Sequence, residues 1–124
     1  MAKIMIVDDA LFMRQMLSKA LLSEGHEICA EASNAKEAVE KYKTSKPDLV
    51  TMDIVMPMME ELDGIGAVKE IIKFDPQAKT LLVSAMSQQP IVVEAIRLGA
   101  KDFLSKPVNA ERLKETVRNI LANS

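Results

Sequence analysis

The chain alternates between two hydrophobic periods. Short apolar runs of strand character appear at Lys3-Ile4-Met5-Ile6-Val7, Glu27 to Glu31, Asp48 to Met52, Thr80-Leu81-Leu82-Val83 and Lys101 to Leu104. Between and after them, apolar residues recur at helical spacing. Leu11, Met13, Met16, Leu17, Ala20 and Leu21 form a broad stripe in the segment 10–23. Ala35, Ala38, Val39 and Tyr42 form a second, and Ile65, Val68, Ile71 and Ile72 a third. A fourth helix is expected from about Gln88 to Leu98, and a fifth carries Leu113, Val117, Ile120 and Leu121. Five strand–helix alternations predict an α/β domain with a parallel sheet.

Local signals sharpen the boundaries. Asp9 is expected to cap the first helix and Gly25 to end it; Ser33 or Asn34 caps the second, which stops before Lys46-Pro47. The third begins near Asp63-Gly64, and Asp75-Pro76 marks the turn after it. Pro90 fits a first helical turn, Gly99 closes that helix, and Asn109 caps the last. The second strand has the composition of an edge strand. With no linker, repeat or low-complexity tract, the 124 residues read as one domain, 1–124.

The strand ends carry the chemistry. The first apolar run ends on Asp8-Asp9, the third on Asp53 before a Met56-Pro57 step, the fourth on Ser84, and the fifth is followed by Ser105-Lys106-Pro107. Parallel α/β sheets collect ligands outside the carboxyl ends of their strands, so these groups are expected to meet. Singly, each has a plain explanation: Asp9 as an N-cap, Ser84 as a helix-entry hydroxyl, Lys106 as a solvated amine. Their joint placement at four strand ends makes coincidence a poor account.

Two carboxylates about 4 Å apart repel by about 4 kcal/mol at an effective dielectric near 20. Asp8, Asp9 and Asp53 together would therefore either keep a proton or recruit a cation, and Mg²⁺ suits a site with few carboxylates. Lys106 and the Ser84 hydroxyl would complete a shell for a tetrahedral anion, leaving Asp53 to attack phosphorus in line.

Composition narrows the partners. Hydrophobic residues make up 48%, enough for a core, and the net charge of −2 gives no reason to expect nucleic acid or an anionic membrane. No apolar run is long enough to span a bilayer, and the first residues lead straight into a strand pattern rather than a signal peptide. Cys29, the single cysteine, is expected to pack as a small apolar side chain in a reducing compartment. The expectation is a cytoplasmic domain.

Val7-Asp8-Asp9, Met52-Asp53-Ile54-Val55-Met56-Pro57, Ser84-Ala85, Gly99-Ala100-Lys101-Asp102-Phe103 and Lys106-Pro107 resemble the receiver domain of two-component response regulators. The resemblance runs from Lys3 to about Leu121. Through Phe12-Met13-Arg14 and Ser84-Ala85-Met86 it is most similar to stand-alone chemotaxis regulators of the CheY type. It implies a doubly wound, flavodoxin-like (βα)5 fold with a five-stranded parallel sheet in the order 2-1-3-4-5, an order that comes from the family. It also implies that Asp53 accepts a phosphoryl group from a histidine kinase of the chemotaxis type. Asp9, Asp53 and the backbone oxygen of Val55 would ligate Mg²⁺, with Asp8 close by. Ser84 and Lys106 would contact the phosphoryl oxygens, the Lys106-Pro107 peptide would be cis, and Phe103 would change rotamer as Ser84 shifts. The output would be the face of the fourth helix, fifth strand and fifth helix, read by a motor-switch or adaptor protein. The implied state is a monomer.

Three features depart from the commonest family pattern. Val55 stands where Asn is frequent; with Met86 it is expected to flank the acyl phosphate, hinder water and create a need for a separate phosphatase or phosphate sink. Met56-Pro57-Met58-Met59-Glu60-Glu61-Leu62-Asp63-Gly64 holds three extra residues, which a surface loop tolerates cheaply. Phe103 lacks a tyrosine's hydroxyl. His26 reads as a solvated turn residue, Tyr42 and the methionines mainly as helix core. Competing with chemotaxis are a stand-alone phosphorelay intermediate and, less well supported, an aspartate-nucleophile phosphatase. The phosphatase would need Asp-x-Asp after the first strand, where this chain has Asp8-Asp9-Ala10.

Overall fold

The computed structural model describes residues 1–54, 63–85 and 89–123, at residues 89 and 91 by the backbone only. The elements are β1 (Lys3–Val7), α1 (Leu11–Ser23), β2 (Glu27–Ala32), α2 (Ala35–Ser45), β3 (Leu49–Met52), α3 (Gly64–Phe74), β4 (Thr80–Ser84), α4 (Gln89–Leu98), β5 (Asp102–Ser105) and α5 (Ala110–Ala122). All four strand pairings are parallel, and the sheet order is β2-β1-β3-β4-β5.

The period-two alternation along the strands divides the interior in two. Ile4, Ile6, Leu49, Leu81 and Val83 pack with Leu17 and Leu21 of α1 and Leu113 and Val117 of α5. Met5, Val7, Val50, Met52 and Leu82 face the other way, toward Ala38 and Tyr42 of α2, Val68 and Ile71 of α3 and Ala95 of α4. β1, β3 and β4 are apolar on both faces because helices cover both. β2, on one edge, is only partly buried.

Two expected caps, Asn34 and Asn109, are present, and Asp63 proves to be a third. Asn34, Asp63 and Asn109 each accept a hydrogen bond from the N–H three residues on, at 2.9, 2.8 and 3.0 Å. Glu37, three residues after the cap, adds a second tie by accepting from the N–H of Ser33, the residue before the cap, at 3.0 Å and from its hydroxyl at 3.2 Å. Gly25 ends α1 with φ +88°, a conformation costly for a side chain.

The first helix corrects two expectations. Asp9 does not cap it: the N-cap is Ala10, with no side-chain capping bond, and the Asp9 carboxylate belongs to an acid cluster instead. Leu11 is not part of the buried stripe but 58% exposed, and Phe12 is 72% exposed. The first turn of α1 begins at the carboxyl edge of the sheet, so burial starts only at Met13 and is complete at Leu17 and Leu21. His26 is also less free than expected, being half-buried with Nδ1 accepting from the Ala2 N–H at 3.2 Å. β5 lies one residue later than expected and carries Ser105 level with Ser84.

Candidate active site

The sheet register sets the site. Val7 is level with Met52, so the next residues, Asp8 and Asp53, leave neighbouring strands side by side. The Asp8 N–H donates to the Ala32 carbonyl at 3.0 Å and the Asp53 N–H to the Val7 carbonyl at 3.0 Å, extending the ladder by one step under each acid. Beyond β5, the Lys106 N–H donates to the Ser84 carbonyl at 3.0 Å. The backbone thus delivers all four residues to one edge.

The side chains then converge. Lys106 Nζ lies 2.8 Å from Asp8 Oδ2 and 3.2 Å from Asp53 Oδ2, bridging two buried carboxylates. The other oxygen of Asp8 accepts from the Ala10 N–H at 2.9 Å, and its carbonyl accepts from Arg14 Nη1 at 2.7 Å. Asp9, exposed at the rim, joins Asp8 and Asp53 in a set whose ligand oxygens lie within 4.8 Å of one another. Burial pulls the Lys106 ammonium down. Its hydrogen bonds and charge attraction with Asp8 and Asp53 outweigh that, so the group ends above the ordinary lysine value.

Three carboxylates and one ammonium leave a formal excess of two negative charges. At 4.8 Å and an effective dielectric near 20, two carboxylates repel by about 3.5 kcal/mol. An all-oxygen donor set, two members of it buried, fits a hard divalent cation such as Mg²⁺.

Ser84 is fully buried as the last residue of β4, and Phe103, level with Leu82, is half-buried against the α2–α3 face of the core. The Lys106-Pro107 peptide is cis. A cleft of about 520 Å³ adjoins it between β5 and α5, lined by Phe103, Ser105, Pro107, Asn109, Arg112 and Glu115. It lies beside the acids and not over them. Val55, Met86 and the extra residues of the Met56–Leu62 stretch lie outside the described residues.

Two residues matter here that sequence reasoning assigned no role. Arg14 holds the Asp8 carbonyl. At Gly64 a Cβ would lie 2.5 Å from the Asp53 carbonyl oxygen and 2.7 Å from Ile54 Cα, so only glycine lets α3 start against the backbone of the acid. The Asp63-Gly64 pair in the sequence marks the turn but not this approach.

Residues 4–118 match the response regulator receiver domain family. The chain belongs to that family. As a receiver domain it is a signalling domain and not an enzyme in the ordinary sense. It is 52% identical to the chemotaxis protein CheY of Thermotoga maritima over 118 residues, covering 95% of this chain and 96% of that one. To CheY of Bacillus subtilis it is 53% identical over 119 residues, covering 96% and 97%. Among solved structures, the CheX–CheY–BeF3–Mg²⁺ complex of Borrelia burgdorferi superimposes with a TM-score of 0.90 at 35% identity, covering 95% of this receiver domain and 87% of that chain. The acid cluster of this receiver domain therefore stands on a fold shared with two-component chemotaxis regulators.

Proposed function

We propose that this receiver domain is a CheY-type phosphoacceptor, taking a phosphoryl group on Asp53 from the phosphohistidine of a chemotaxis kinase. The observation that carries the reading is the Lys106 bridge: one ammonium spans Asp8 and Asp53 inside a three-carboxylate cluster at the carboxyl edge of the sheet. Asp8, Asp9 and Asp53 would hold Mg²⁺, together with the backbone oxygen of Val55, which the family resemblance suggests. When bound, Mg²⁺ supplies the charge that offsets the acids and a phosphoryl oxygen.

The remaining work falls to the chain's own groups. Asp53 Oδ attacks phosphorus, the O–P bond forms, and the P–N bond to the histidine breaks with its electron pair going to the imidazole. Lys106 faces the charge that develops on the phosphoryl oxygens, and the Ser84 hydroxyl is a donor to one of them. The Lys106 ammonium is already drawn to Asp53, and its backbone N–H donates to the carbonyl of Ser84, which supports this assignment.

The added charge and acceptor oxygens favour a conformation in which Ser84 and Lys106 turn toward the phosphoryl group. Phe103, on the strand between them, follows by repacking. The output surface is then α4, β5 and α5, where the cleft beside Phe103 and the exposed Val93 and Ile96 of α4 lie. The partner there is a motor-switch or adaptor protein. The CheY relatives are matched over 96% and 97% of their own length. No helix among the described residues is long and apolar enough to cross a membrane, and the proposed compartment is the cytoplasm. Labelling by acetyl phosphate with Mg²⁺ tests the reading: one phosphoryl adduct is expected on wild type and none on Asp53→Ala.

A further inference from the structure

We infer that Arg14 is the positioning residue of the acid cluster, fixing the Asp8–Asp9 peptide so that the exposed Asp9 is aimed at Asp8 and Asp53. The inference rests on reading that cluster as a magnesium site. The three acids are not held alike. Asp8 and Asp53 are anchored by sheet-type hydrogen bonds from their own N–H groups to Ala32 and Val7. Asp9 lies beyond the ladder, and α1 starts at Leu11 with no side-chain cap; the local bond across Asp9 is the one from the Ala10 N–H to Asp8 Oδ1 at 2.9 Å.

Arg14 adds a hold from outside this turn. Its Nη1 donates to the Asp8 carbonyl at 2.7 Å while its Nε donates to Glu31 Oε1 at 3.0 Å. That carbonyl belongs to the Asp8–Asp9 peptide, so pinning it sets the Asp8 ψ angle and the peptide plane from which the Asp9 Cα–Cβ bond departs. The guanidinium is itself secured at both ends. It rises from the first turns of α1 and leans on Glu31 at the end of β2, whose own carbonyl accepts from Lys41 Nζ of α2 at 2.6 Å. The planar fork suits this double duty, because its separate nitrogens reach two acceptors that lie apart, whereas a lysine presents all its donors from one nitrogen. With its side chain 17% exposed, the guanidinium works where water competes weakly.

Groups that orient ligands typically contribute 10–100-fold to metal affinity. Titrating MgCl2 calorimetrically into the intact chain, Arg14→Ala is therefore expected to weaken binding about tenfold, with Arg14→Lys between it and wild type. If Arg14 acts through Asp9, the same change in an Asp9→Asn background adds less than about twofold. Without metal, amide exchange should quicken at Ala10 in Arg14→Ala while the Asp53 amide keeps its wild-type rate. Unchanged magnesium affinity, a full further loss in the Asp9→Asn background, or exchange rising equally at Ala10 and Asp53 would each overturn the inference. A wild type that binds no Mg²⁺ would instead sink the reading of the cluster as a metal site, and the role of Arg14 with it.

Discussion

Replacing Lys106 by methionine separates the two jobs assigned to that side chain, holding the acids together and opposing a cation. Methionine keeps much of the volume and removes the charge. At 2.8 and 3.2 Å and an effective dielectric near 20, the gross attractions to Asp8 and Asp53 are roughly 6 and 5 kcal/mol. Desolvation offsets most of this, and removing one partner of a buried ion pair costs about 3–5 kcal/mol. The Lys106 side chain is 20% exposed, which favours the lower end. The expected loss is roughly 3 kcal/mol in EDTA, or about 10 °C in the unfolding midpoint of a domain this size. Magnesium should have the opposite response. An ammonium beside its ligands works against it by about 1–2 kcal/mol, so affinity in the variant should rise roughly tenfold. Urea unfolding followed by circular dichroism, with EDTA and with Mg²⁺, measures both. A variant as stable as wild type in EDTA, or one that binds Mg²⁺ no more tightly, would refute the reasoning. The pH dependence has a definite sign. The folded pKa of Lys106 lies above its unfolded value of 10.5, so its contribution is complete below that value and is lost as pH rises through the folded one. Tyr42 is also pushed upward by burial and by its hydrogen bond to Asp75, so wild type loses stability from both groups at alkaline pH. The difference between wild type and Lys106→Met isolates the lysine.

Gly64→Ala should cost more than about 2 kcal/mol and slow labelling of Asp53, because its Cβ meets the Asp53–Ile54 backbone and not a side chain that can move; urea unfolding and acetyl phosphate labelling check it. Leu82→Ala, at a fully buried position of β4, should cost about 3 kcal/mol in the same unfolding assay. Glu37 is held below the ordinary carboxylate value chiefly by the Ser33 N–H, so its contribution is present above the unfolded value of 4.5 and is lost as pH falls through the folded one. The stability difference between wild type and Glu37→Gln should accordingly shrink in acid. Val55→Asn should shorten the lifetime of phospho-Asp53, measured by radiolabel decay; a longer lifetime would remove the idea that Val55 shields the acyl phosphate.

Much of this molecule was legible in its sequence for one physical reason. Strands buried on both faces read as unbroken apolar runs, and the polar residue that ends each run is the one that reaches the sheet's edge. Asp8, Asp53 and Ser84 follow that rule, Lys106 comes one residue after the more exposed β5, and the structure places all four at one edge. The caps at Asn34 and Asn109 and the helix start at Asp63-Gly64 were legible because a capping bond is local. Asp9 was misjudged because one carboxylate cannot serve both the helix and the cluster, and the cluster is made by residues far away in the chain. Leu11 was misjudged because helical spacing says which face is apolar, not where along the helix the sheet begins to cover it. Arg14 and Gly64 carried no readable signal, since each depends on a backbone approach set by tertiary packing.

The most direct test of the central claim is peptide-mapped mass spectrometry after acetyl phosphate treatment, run with Mg²⁺ and with EDTA. The account predicts a single phosphoryl group on Asp53, formed with Mg²⁺, lost in EDTA and absent from Asp53→Asn. A phosphoryl group on another residue, equal labelling in EDTA, or no labelling of wild type would contradict it.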